Sequence, residues 1–183
     1  MTSERTLLHT RAATFQGFLR ADGLWDIEAE MRDARDYDSL VPEKLLLAAN
    51  ASLHHLFIRL VLDDALTIQD ISVRMEATPF GECRQMEQAL QCMRGVTLGA
   101  GWRKTISDRL GGVRGCTHLS ELLFNMATVA FQTISAHRAQ QRRRAGQTDA
   151  ALTEPPHFLD RCHTWRLDGP VVMRHFPQFQ RGT

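Results

Sequence analysis

The chain has 183 residues, of which 43% are hydrophobic and 23% charged, and its formal net charge is +1. That length supports a real hydrophobic core without disulfide or metal staples. A near-neutral balance excludes a general electrostatic pull toward nucleic acid or an anionic membrane, and no apolar run approaches the roughly 20 residues of a membrane helix.

Residues 1–16 are polar and without clear periodicity, and are expected to form a loose arm. They also lack the basic-then-apolar layout of a secretion signal, so the expected compartment is the cytoplasm. The four cysteines, Cys83, Cys92, Cys116 and Cys162, are then read as thiols or ligands rather than disulfides. From Trp25, apolar Ile27, Ala29 and Met31 alternate with Asp26, Glu28, Glu30 and Arg32. Period two with charged partners predicts an antiparallel strand with one wet face. Pro42-Glu43-Lys44 and the leucine-alanine run after it are read as a short helix.

Leu56, Ile58, Leu60 and Leu62 repeat the alternation, and Leu66–Glu76 gives a third strand beyond the turn Asp63-Asp64-Ala65, making a hairpin. Cys83, Met86, Leu90 and Met93 fall on one helix face ended by Gly95, and Trp102–Leu110 is a further short helix. After Gly111-Gly112-Val113-Arg114-Gly115, the apolar positions from Leu119 to Ile134 predict a long amphipathic helix to about His137. Residues 138–156, with Arg142-Arg143-Arg144, read as a solvated helix end and a linker-like segment; one basic triplet is too little for nucleic-acid binding. Arg166–Val172 looks like a turn between two short strands. Strands first and helices afterwards predict one α+β domain over 17–183, a small antiparallel sheet covered on one face by helices.

Candidate chemistry gathers where elements begin. His54 and His55 precede the second strand, Cys83 opens the first good helix, and Cys116 and His118 open the long one. Cysteine thiolates and imidazoles are the ligands zinc prefers, and thiolates also suit iron. No C-x-x-C or H-E-x-x-H pattern is present, and free cysteine is among the most buried residue types, so Cys83 and Cys116 fit plain core positions equally. Cys116 sits where a helix dipole favours thiolate, which also suits a nucleophile. Asp26, beside Trp25 and near Arg20 and Asp22, is the candidate acid–base carboxylate.

Gly17-Phe18-Leu19-Arg20-Ala21-Asp22-Gly23-Leu24-Trp25-Asp26-Ile27-Glu28, Arg59-Leu60 and Gly115-Cys116-Thr117-His118-Leu119-Ser120-Glu121-Leu122 resemble the bacterial domain of unknown function 2889. The resemblance runs from about Gly17 to Pro177 and implies no particular activity. Where that family has His-Asp before the second strand, this chain has His54-His55, so an acidic group at that place is absent. The order of elements also resembles the iron–sulfur scaffolds of the NifU and SufU type, over roughly residues 54–135. That resemblance implies a NifU/SufU-like topology and puts His54, Cys83 (after Gly81) and Cys116 where the scaffold cysteines stand, with Gly95-Val96-Thr97-Leu98 beside them. A histidine in a cysteine's place points to a single zinc or iron ion rather than a cluster.

The leading expectation is therefore a cytoplasmic metal-binding protein with ligands His54, Cys83 and Cys116, and His118 or His55 completing the shell. Two alternatives stand beside it: a hydrolase or lyase of a bacterial catabolic pathway using Cys116 or metal-bound water with Asp26, and a non-catalytic accessory protein. Nucleic acid and membrane are excluded as partners; a small-molecule substrate and a homodimer are admitted.

Overall fold

The computed structural model describes residues 3–43 and 45–181. Its first strand, β1 (His9–Leu19), turns through Gly23, whose φ is +83°, into β2 (Trp25–Arg35). A short hairpin of β3 (Ser39–Val41) and β4 (Leu45–Leu47) precedes the long hairpin β5 (Ser52–Leu62) and β6 (Ile68–Ala77). The four long strands form one antiparallel sheet in the order β1-β2-β5-β6. At the β5–β6 turn the Asp63 carboxylate accepts from the Thr67 N–H at 2.9 Å. The expected alternation is the one observed. Trp25, Ile27, Ala29 and Met31 of β2, and Leu56, Ile58, Leu60 and Leu62 of β5, are buried on a common face.

Three helical pieces come next. A 3-10 turn over Gly81–Gln85, α1 (Met86–Ala89) and a second 3-10 turn (Leu90–Met93) occupy the stretch expected as one helix, with Leu90 and Met93 buried. Then come α2 (Trp102–Leu110) and α3 (Thr117–Arg144). Leu119, Leu122, Leu123, Met126, Ala127, Ala130 and Ile134 of α3 join Ile106 and Leu110 of α2 in the same core as the strands. Each fully buried leucine or isoleucine contributes about 1.5–3 kcal/mol, so this shared face fixes the helices on one side of the sheet. The fold is α+β, as the order of elements predicts. Trp102 Nε1–H donates to the Leu123 carbonyl at 2.9 Å, tying α2 to α3.

Gly17 marks where α3 meets β1: a Cβ there would lie 2.3 Å from Thr133 Oγ1. The other end of that contact is the ion pair of Arg11 with Glu121. Between these points the helix advances about 18 Å and the strand about 20 Å, so α3 runs along β1 in the same direction. The two outer strands are finished differently. Along β6, Gln91 Nε2 donates to the Ile71 carbonyl, Arg94 Nε to that of Gln69, and Glu87 accepts from the Met75 N–H.

Several expectations are corrected. Residues 9–16, expected in a loose arm, form most of β1; as an edge strand it exposes most side chains on both faces and leaves no alternation to read. Of the stretch 42–49, expected as a helix, Leu45–Leu47 form β4, whose backbone pairs with β3 instead of with its own chain, and Lys44 lies outside the described residues. Helix α3 reaches Arg144, through the first residues of the segment read as a linker. The chain divides into two compact units, 1–134 and 135–183, the division falling within α3. In the second unit Leu159, Val172 and Phe176 are buried with Phe158, Trp165 and Phe179 around them. The turn at Arg166–Gly169 is present, its closing N–H bonding at 2.9 Å, but Pro170 opens α4 (Pro170–His175) instead of a strand. Proline is pre-set for the first helical position, where its missing N–H costs nothing.

Candidate functional site

The inward parity of the strands does not stop at the apolar residues. On β2 it runs Trp25, Ile27, Ala29, Met31 and then Asp33; on β5 it runs back from Leu56 to His54; on β1 it passes Ala13 to Arg11. The register aligns Arg11 with Asp33 and Asp33 with His54. One end of the helix-covered face therefore carries a polar row across three strands. Asp33 in its centre is only 2% exposed.

The glycine turn delivers the fourth member. Gly112 has φ +61°, and a Cβ at Gly115 would lie 2.2 Å from the Leu110 carbonyl oxygen. The tight approach sets the start of α3, where the Cys116 carbonyl accepts from the Ser120 N–H at 3.0 Å. His118 and Glu121, three apart and hence on one helix face, then meet the polar row. Asp33 accepts from Arg11 Nη2 at 2.9 Å on one oxygen and bonds His54 Nδ1 at 3.1 Å on the other, with His9 Nε2 at 3.8 Å. Arg11 Nη2 also lies 2.9 Å from His118 Nε2, and its Nη1 lies 3.1 Å from Glu121. The rings of His54 and His118 are 4.1 Å apart between centroids.

These contacts fix protonation. A guanidinium only donates and a carboxylate only accepts, so His118 Nε2 offers its lone pair to Arg11 and His54 Nδ1 carries its proton toward Asp33. Burial lowers the pKa of His118, and the charges of His54 and Arg11 lower it further. Burial alone would raise that of Asp33, but hydrogen bonds from His54 and Arg11 outweigh it and hold the carboxyl below its ordinary range.

One ligand-type atom each from Asp33, His54 and His118 lie within 4.8 Å of one another. Two residues expected as ligands, His54 and His118, are thus brought together. Cys116 is beside them, half-buried, its Sγ 3.9 Å from His118 Nδ1. Cys83 lies outside the group, in the 3-10 turn after β6, packed against the hydrophobic core. His55, one residue from His54, points to the other face of the sheet, between Glu30 at 2.7 Å and Glu76 at 3.1 Å. Asp26 is held by Arg20 at 3.5 Å; seven residues along β2 from Asp33, it is about 23 Å away. Beside His118, a cavity of about 280 Å³ opens between β1 and α3. Its apolar lining is Ala13, Phe15, Met31 and Leu122, and its polar lining is Arg11, His118, Glu121 and Asn125.

Sequence reasoning missed Asp33, Arg11 and Glu121. The signal for Asp33 was available, a charge continuing the apolar parity of β2. No such signal existed for Arg11, whose strand shows no alternation.

Among the described residues no helix is long and apolar enough to cross a membrane. No curated protein and no solved structure matches the chain, so the likeness to NifU- and SufU-type scaffolds rests on order and spacing alone. Residues 9–132 match a family model described as a protein of unknown function, a span that holds Arg11, Asp33, His54, Cys116, His118 and Glu121. The chain belongs to the family of the domain of unknown function 2889.

Proposed function

We propose that the chain binds a single zinc or iron ion through a carboxylate oxygen of Asp33 and one ring nitrogen each of His54 and His118. The observation carrying this reading is the convergence of three ligand-type side chains from β2, β5 and α3 within 4.8 Å, one of them a buried carboxylate. Two imidazoles and one carboxylate suit catalytic zinc and non-haem ferrous iron alike, and both leave positions open. Tetrahedral ligands about 2.1 Å from zinc stand about 3.4 Å apart, so the group contracts slightly on loading. Cys116 is near enough to His118 to orient its ring through Nδ1.

Elemental analysis of untagged protein, with zinc and ferrous titrations of the metal-free chain, tests the proposal. One ion per chain is expected, with uptake lost in His54→Ala and His118→Ala and retained in Cys83→Ser. Wild-type protein that takes up neither metal, or His118→Ala that binds like wild type, would sink it. The cavity beside His118 favours one extension, a metal-activated water acting on a small substrate held between β1 and α3.

A further inference from the structure

The group offers a metal its ligands with a cation already on them. Arg11 Nη2 is 2.9 Å from Asp33 Oδ2 and 2.9 Å from His118 Nε2, so one N–H-bearing nitrogen occupies a carboxylate oxygen and an imidazole lone pair together. A metal cannot use those atoms while Arg11 holds them. The guanidinium has a second anchor that the metal does not need, Glu121, half-exposed at 3.1 Å from Nη1. It also has a place to go, because Arg11 and Glu121 both line the β1–α3 cavity.

The net charge of the group changes sign on loading. With the imidazoles neutral, Asp33, Glu121 and Arg11 carry one net negative charge. A divalent ion turns this into one net positive charge, and a single monoanion would then restore neutrality. A guanidinium freed from Asp33 regains a fork that fits a carboxylate, and the wall of Ala13, Phe15, Met31 and Leu122 suits an apolar body.

Resting on the metal site proposed for Asp33, His54 and His118, we propose that Arg11 is the resident cation of this site. A metal ion displaces its guanidinium toward the cavity, and there Arg11 anchors a small monocarboxylate with an apolar body. Metal and carboxylate therefore bind with positive coupling, equal in both directions by linkage.

Calorimetric titrations of zinc into metal-free protein, with and without benzoate, test this. Wild-type protein should bind zinc more tightly in benzoate than without it, and acetate should do less. Without zinc, benzoate should not bind. Arg11→Gln should bind zinc roughly tenfold to hundredfold more tightly than wild type, the scale of one charge-assisted hydrogen bond removed, and should lose the benzoate effect. Glu121→Gln, an exposed change that leaves the core untouched, should weaken zinc binding in wild type and do so less in the Arg11→Gln background. Far-ultraviolet circular dichroism of each variant confirms folding. Arg11→Gln that binds zinc no better than wild type overturns the competition. A benzoate effect surviving in Arg11→Gln overturns the anchoring role and puts the carboxylate on the metal instead. If neither wild type nor Arg11→Gln takes up zinc or ferrous iron, the metal site itself fails.

Discussion

Asp33→Asn removes one charge and nearly no volume from the centre of the polar row. The side chain it alters is 2% exposed and bonded to Arg11 and His54 at 2.9 and 3.1 Å. An asparagine can accept from only one of these partners and turns an N–H₂ group toward the other. A hydrogen bond to a charged group contributes about 1.5–3 kcal/mol, and breaking a buried ion pair costs about 3–5 kcal/mol. Arg11 retains Glu121 and access to water, so about 2–4 kcal/mol is expected, a large part of the 5–15 kcal/mol typical of a domain. The assay is urea unfolding in chelator, followed by circular dichroism and tryptophan fluorescence. With a slope of about 2 kcal/mol per molar urea, the midpoint should fall by roughly 1–2 M. The difference also has a pH signature. Since the folded Asp33 titrates below its unfolded value of 3.8, its contribution is complete above that value and is lost as pH falls through the folded one. The gap between wild type and variant should therefore shrink as the pH falls below 3.8. A loss under about 1 kcal/mol at pH 7.5, or a gap unchanged at pH 3, would contradict the role given to the Asp33 charge.

Other perturbations separate the site from its supports. Gly17→Ala places a Cβ 2.3 Å from Thr133 Oγ1 and should destabilise by about 1–3 kcal/mol, with Thr133→Ala giving part of it back in thermal melts. Gly115→Ala drives a Cβ against the Leu110 carbonyl at 2.2 Å; it should shift the start of α3 and weaken zinc binding, while Gly81→Ala, in open space, leaves titrations unchanged. Because the folded pKa of His118 lies below 6.5, its contribution is complete above that pH and is lost as pH falls toward the folded value. Wild-type stability should therefore decline below about pH 6.5, and His118→Gln should flatten the slope between pH 7 and 5 in the same urea assay. Trp102→Phe leaves the core apolar but removes the 2.9 Å bond to the Leu123 carbonyl, and should cost about 1 kcal/mol by urea midpoint.

The parts of the fold legible in the chain are those where burial is one-sided. Trp25 to Met31 and Leu56 to Leu62 alternate because one face meets the core and the other, buried Val61 apart, is open to water, and Leu119 to Ile134 repeat at helical spacing for the same reason. Where burial is not one-sided the reading failed. Most side chains of β1 are exposed, so its sequence carries no period. In the β3–β4 hairpin, Leu40 is 80% exposed beside buried Val41, and a leucine run there imitates a helix.

The candidate site divides along the same line. Local sequence determined that His54 and Asp33 lie on the apolar faces of their strands, since parity is a property of the backbone alone. It also determined that His118 and Glu121 share a helix face, and that the glycines before them permit the turn that starts it. Which strands are neighbours, and in what register, is decided by pairing across 20 residues or more, and only the folded sheet aligns Arg11, Asp33 and His54. The same packing left Cys83 in a core-facing turn and sent His55 to the opposite side of the sheet. Adjacent residues on a strand point apart, while residues far apart in the chain meet when their parity and register coincide.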